Sequence, residues 1–220
     1  MLRIAMFMDG SFFLKVNTYY KYNHPRRSNI SFNGLAEFIK DEVSRQEQVD
    51  KRYCHIVEAH WFRGRFSTNQ LQHKFPDDAK RLNFITNERN VDDMFMYEGI
   101  VQHVYPLQVN PTTGSATEKG IDVWLSLEAF ELAVLKRFDV LALIAGDTDY
   151  VPLIRKINGL GTRVMVLGWD FEYTDNNGNR NVTRTGQALI DECSYPIMME
   201  KVIDDKSNKN DAVVNGIFAH

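Results

Sequence analysis

Cysteine is scarce in this chain: Cys54 and Cys193 are the only two among 220 residues, and neither stands in a C-x-x-C pattern. Two thiols so placed make neither a disulfide framework nor a zinc site, so both are expected reduced and buried, as in a cytoplasmic protein. Charge of one sign is lacking as well. Twenty-six Lys and Arg against 29 Asp and Glu leave a formal net charge of −3. A nucleic-acid partner must then be met by a local basic patch, because no global positive field attracts phosphate. Long apolar runs are missing too. The first ends at Asp9, short of a signal-peptide core, and none reaches the length of a bilayer span, so no membrane partner is expected. Phosphate-binding G-x-x-x-x-G-K-[ST] loops, G-x-G-x-x-G dinucleotide turns and G-x-S-x-G nucleophile elbows do not occur. Phe7 stands where a haloacid-dehalogenase-type phosphatase needs its nucleophilic Asp.

What is present is an alternation of apolar strands and helical patterns, which argues for βαβ units and a parallel sheet. The run Leu141 to Tyr150, LALIAGDTDY, is the most informative. It reads as a strand apolar on both faces that stops at Gly146 and then presents Asp147 and Asp149. The first strand, about Arg3 to Met8, has the same form and stops at Asp9 and Gly10. Further strands are expected at Tyr53–Phe62, Ile100–Val109 and Val164–Gly168. Helices are expected at Ser11–Tyr22, from Asn33 as N-cap, from Pro76 to Tyr97, from Asp122 to Leu135 and at Val151–Leu160. Asn110–Thr117 and Asp175–Asn181 read as a loop and a hairpin tip. Residues 1–203 form one domain on this reading. After Asp204 the chain turns polar and is expected to fray through residue 220.

Four aspartates hold informative places. Asp9, Asp147 and Asp149 follow strand ends, where open α/β sheets put their sites, and Asp122 opens a helix. If the two strands are neighbours, the carboxylates converge. Two such charges about 4 Å apart repel by about 4 kcal/mol at an effective dielectric near 20. A divalent cation relieves that repulsion, and oxygen ligands without His or Cys favour Mg²⁺ or Mn²⁺. The competing structural reading is helix capping, which suits Asp122 and Asp149, and a turn, which suits Asp9-Gly10.

MFMDGS, YEGIVQHVYPLQV, EKGIDVWLSLEAFELA and FDVLALIAGDTDYVPLIRKINGLGTRVMVLG occur here in the order found in NYN proteins. From Leu2 to about Gly168 the chain resembles the LabA/DUF88 branch of that family, within the PIN-like nucleases. The resemblance implies an α/β fold, a PIN-like three-layer sandwich with a mostly parallel central sheet and helices on both faces. It implies a metal-dependent endoribonuclease in which Asp9, Asp122, Asp147 and Asp149 hold Mg²⁺ or Mn²⁺ and activate water. Ser11 and Thr148 stand beside these residues. Phe12 departs from the family pattern, where Asn is common.

RNA contacts are expected where basic and aromatic residues mix. Arg26 and Arg27 follow Tyr19-Tyr20-Lys21-Tyr22, and Arg63 and Arg65 lie in WFRGRF. Lys119, three residues before Asp122, is placed to pair a phosphate; Arg180 and Arg184 are weaker candidates. The alternative for each is surface solvation or core packing. The six histidines show no metal spacing, and Trp124 and Phe130 read as core. The rival functions are a non-catalytic PIN-like module that binds RNA or protein, and a metal-dependent phosphatase. PIN-like domains often pair, and the apolar stretch Ala212 to Phe218 is the candidate contact for a homodimer.

Overall fold

The computed structural model describes residues 1–110, 113–175 and 178–219. Pro111 and Thr112 of the expected loop, and Asn176 and Asn177 of the expected hairpin tip, lie outside the described residues. The strands are β1 (Leu2–Asp9), β2 (Cys54–Arg65), β3 (Val101–Pro106), β4 (Gln108–Val109), β5 (Ala116–Thr117), β6 (Val140–Ile144), β7 (Arg163–Gly168), β8 (Phe171–Thr174), β9 (Arg180–Thr183) and β10 (Tyr195–Met198). The helices are α1 (Gly10–Tyr22), α2 (Phe32–Glu47), α3 (Thr68–Lys74), α4 (Asp78–Tyr97), α5 (Ile121–Lys136), α6 (Val151–Gly159), α7 (Gln187–Glu192), α8 (Met199–Asp204) and α9 (Ala212–Gly216).

Six strands form one parallel sheet in the order β10-β7-β6-β1-β2-β3. The chain leaves β1 toward β2 and β3 on one side and later returns to add β6, β7 and β10 on the other. The β1–β6 junction is therefore the topological switch point, where open α/β sheets leave a crevice at the carboxyl ends. The apolar runs explain the layering. Ile4, Met6 and Met8 enter the core under α1 and α2, while Ala5 and Phe7 enter the core under α5 and α6. All five residues of β6 are fully buried, as a central parallel strand requires. Pro106 ends β3, an edge strand, where no neighbour needs its missing N–H.

Several expectations are corrected. Ser31, not Asn33, caps α2 by accepting from the Gly34 N–H. The segment after Pro76 starts at Asp77, which caps α4. A further helix, α3, precedes it, opened by a capping box between Ser67 and Gln70. Cys193 is only half-buried, whereas Cys54 is buried. Phe130 lies on the outer side of α5 and is 36% exposed. Residues 205–219 do not fray. Val214, Ile217 and Phe218 are buried, Phe218 pairs with Ile30 in an antiparallel bridge, and the Gly216 carbonyl sits so close to Gly34 that no side chain fits there. Apolar residues inside a polar stretch bring the tail home, because burying them outweighs the entropy of release. Ala212–Phe218 thus packs within its own chain and is not a free dimer contact. No helix among the described residues is long and apolar enough to cross a membrane.

Candidate functional site

The site is built where β1 and β6 end. These strands pair in parallel, with Met8 opposite Ile144, so Asp9 and Asp147 emerge at the same edge of the sheet. Asp9 caps α1: its Oδ1 accepts the Phe12 N–H at 3.0 Å. Its Oδ2 accepts the Tyr150 hydroxyl at 3.1 Å. Gly10 lets the chain turn here, since a Cβ would meet the Phe62 carbonyl at 2.6 Å. Burial raises the Asp9 pKa, and the Glu118 charge adds to the rise; the bonds from Phe12 and Tyr150 offset only part of it. The carboxylate is thus short of positive charge.

Asp147 is exposed and caps the one-turn 3₁₀ segment Thr148–Tyr150, its Oδ1 accepting the Asp149 N–H at 3.0 Å. Tyr150 is fully buried behind this turn. Its hydroxyl pKa is pushed far up, first by burial and then by Asp9, with Asp122 and Asp147 adding to it. Asp122 lies in the first turn of α5, half-buried. It is not the cap of that helix, a place held by Gly120 at φ +77°. Tyr150, not Asp149, is the N-cap of α6.

A cleft of about 510 Å³ opens over Asp9 and Asp147. Ser11, Lys15, Thr148 and Arg184 line it, and Phe12 lies against Gly146, where a Cβ would meet the Phe12 ring at 2.5 Å. The β8–β9 hairpin closes one side: Gly186, just beyond it, donates its N–H to the Gly146 carbonyl at 2.8 Å. Of the four aspartates, the structure brings Asp9 and Asp147 to the cleft. Asp122 does not line the cleft and acts on the Tyr150 hydroxyl by its charge alone, and the exposed Asp149 does not line the cleft either.

The family model of the NYN domain matches residues 3–200. The chain belongs to the NYN domain family. NYN domains belong to the PIN-like nuclease superfamily and are generally nucleases, and the three-layer parallel architecture here agrees with a PIN-like sandwich. Among solved structures, a protein of unknown function from Vibrio parahaemolyticus RIMD 2210633 is similar at 22% identity and a TM-score of 0.48, over 90% of this chain and 92% of that one. No curated protein matches.

In this NYN domain three functional candidates escape a residue-by-residue reading. Glu118 accepts the Ser11 hydroxyl at 2.5 Å and the Gly64 N–H at 2.6 Å, and so ties the loop before α5 to the rim of the cleft. Tyr150 carries the hydroxyl that reaches Asp9. Lys15, one turn into α1 from Ser11, is a third. The expected arginines are mostly engaged elsewhere. Arg63 is buried and paired with Glu88, and Arg65 pairs with Glu88 at 2.9 Å and with Asp92, both on α4. Arg26 donates to Asn215 at 2.9 Å and to the Ile203 carbonyl at 3.3 Å, and lies 4.6 Å over the Phe218 ring. Arg27 bonds the Tyr22 carbonyl. The charges of Arg63 and Arg65 are answered within the fold, whereas Arg26 and Arg27 meet only neutral oxygens. Lys119 is exposed.

The donors at the cleft are oxygens, which suits a hard cation. Among the described residues no three His, Cys, Asp or Glu side chains stand close enough together to hold a metal ion. A ready-made cage of four aspartates is therefore not present. Mg²⁺, however, is commonly held by one or two carboxylates while it keeps several waters, and the under-compensated Asp9 beside Asp147 fits that requirement.

Proposed function

We propose that this NYN domain is an Mg²⁺- or Mn²⁺-dependent endoribonuclease of the LabA/DUF88 branch, with its site in the cleft between β1 and β6. One observation carries the reading: Asp9 and Asp147 stand at the carboxyl ends of adjacent parallel strands and share a cleft with Lys15 and Arg184. Asp9 and Asp147 would hold the cation, with the hydroxyls of Ser11 and Thr148 near them. Such an ion, when bound, supplies a water acidified enough to attack phosphorus and neutralises charge on the phosphate oxygens. The chain's own residues do the rest. Tyr150 orients the Asp9 carboxylate through its hydroxyl. Asp122 adds negative charge from the α5 side, and the Asp149 N–H orients Asp147. Lys15 meets phosphates along the RNA backbone, and Lys119 extends that basic edge; Arg184, paired with Glu172 at 3.2 Å, holds the hairpin at the cleft's side.

Labelled RNA incubated with Mn²⁺, Mg²⁺ or EDTA tests this, with Asp147→Asn beside the wild type. Cleavage that needs the ion and is lost in the variant is the expected outcome. Tight RNA binding without cleavage under every condition would support a second reading, a PIN-like module that binds without turnover. That reading is favoured by the Phe12 ring beside Gly146, an apolar group at a position where the family pattern commonly has Asn.

A further inference from the structure

The pairing at the end of β2 leaves two cations over. Arg63 and Arg65 are matched by Glu88 and Asp92, and Arg81 by Asp78. Lys74 and Arg89 are exposed and have no ion-pair partner among the described residues. Both stand on the arm that α3 and α4 form beyond β2. This arm is thinly packed, with Leu71 the only buried residue of α3 and Phe95 that of α4. Three phenylalanines stay half-buried along it. Phe84 meets Phe75 at 5.2 Å and Phe66, nearly edge-on, at 6.3 Å, and the Lys74 ammonium lies 4.0 Å over the Phe66 ring. Phe66, Leu71, Phe84 and Arg89 share a groove of about 390 Å³, room enough for a flat ring. Glu88 and Asp92 also touch it, but the arginines already answer their charges.

We propose that this groove binds an unpaired nucleotide of the RNA whose backbone lies in the cleft, its base against the rings of Phe66 and Phe84 and its flanking phosphates on Lys74 and Arg89. The inference rests on the reading of the cleft as an RNA site. Aromatic rings beside free cations hold single strands with little regard to sequence, because every base has a face to stack. The chain carries a net charge of −3, so local cations must draw the phosphates, and with Arg63 and Arg65 paired these two are what the end of β2 offers. The placement agrees. Asp9 pairs with Phe62 across β1 and β2, and Phe66 follows four residues later at the same edge of the sheet. At about 3.3 Å per residue and about 4.8 Å between strands, the groove begins roughly 14 Å from Asp9. One extended strand of a few nucleotides spans that distance. A duplex keeps its bases stacked inside and meets only the two cations.

Fluorescence anisotropy with a labelled single-stranded RNA of about 12 nucleotides, in EDTA so that nothing is cut, tests the groove apart from the chemistry. Phe84→Leu keeps the apolar bulk and removes the ring; Arg89→Gln removes a charge at an exposed position. Each should weaken binding by about 10-fold, and Arg89→Gln should also lower the slope of log affinity against log salt by about 0.7. Melting temperatures check that the variants fold, and Arg89→Gln decides alone if Phe84→Leu does not. A duplex of the same length should bind more weakly than the single strand. Variants that bind as the wild type does, or a duplex held as tightly as the single strand, would overturn the proposal. The groove and the nuclease can fail separately. Binding lost in the variants, from a wild type that cuts no RNA with either metal, keeps the groove and ends the nuclease. Cleavage by the wild type, with binding indifferent to both substitutions, keeps the nuclease and ends the groove.

Discussion

Two clusters of charge stand at the carboxyl edge of the same sheet and are treated in opposite ways. At the end of β2, Arg63 and Arg65 meet Glu88 and Asp92 on α4, so each buried charge has its opposite. At the ends of β1 and β6, Asp9 is nearly as withdrawn from water, yet only a phenol and the backbone N–H groups of Phe12 and Ser11 answer it, and the nearby Glu118 adds to its burden. Compensated charge is architecture. Uncompensated charge is held ready for something that arrives from outside. The contrast separates α4, which the arginines anchor, from the cleft, which the aspartates leave available.

The largest effect should come from breaking the compensated cluster. Glu88→Ala leaves the Arg63 guanidinium buried beside β2 with no partner, a loss of about 3–5 kcal/mol. Denaturant unfolding should show that loss as a lower midpoint with little change in slope. RNA cleavage per folded molecule should hardly change. A variant that keeps its stability but loses activity would place Glu88 in the site and erase the distinction between the two clusters.

Asp9→Asn should do the reverse. Asn retains the cap on α1 but removes the charge, so cleavage should fall at least about 100-fold while stability holds or rises. The direction follows from linkage. Folding raises the Asp9 pKa above its ordinary 3.8, so the folded state binds the proton more tightly than the unfolded chain does. The contribution of Asp9 to stability is therefore fully present below pH 3.8 and is lost as pH rises through the folded value. The melting temperature of Asp9→Asn should match the wild type in acid and exceed it near neutrality. A variant less stable at neutral pH than in acid, relative to wild type, would show that the carboxylate is compensated after all.

Both strand ends of the cleft were legible from local pattern alone. Apolar runs that stop at Asp9-Gly10 and at Gly146-Asp147 announce central parallel strands and their exits, and the structure pairs them directly. The start of α3 was not read, although Ser67 and Gln70 stand three apart as a capping box requires. The partners were not legible. Glu118 and Ser11 lie 107 positions apart, and Tyr150 and Asp9 lie 141 apart. Nothing in a local window tells that Arg63 is tied to a helix whose surface looks merely solvated. His60 and His103 show the same limit: they lack metal spacing, yet they meet at 2.9 Å in the half-dry space between β2, β3 and α5. Periodicity reports which face of an element is apolar, and α5 shows its weakness, because two apolar faces leave open which one the core takes.

Tyr150→Phe should have the smallest effect and makes the finest distinction. The substitution keeps the buried ring and removes only the hydroxyl that donates to Asp9. A bond to a charged acceptor contributes about 1.5–3 kcal/mol, so the loss near neutral pH should fall in or just below that range. The bond lowers the Asp9 pKa, and without it that pKa climbs further above its ordinary value. The acidic limb of the cleavage profile should then move to higher pH, and the stability cost should shrink in acid, where Asp9 is protonated and needs no donor. A purely structural tyrosine would lower stability equally at every pH and leave the limb where it was. That outcome would return Asp9 to the class of ordinary helix caps and leave Asp147 as the charge on which the cleft depends.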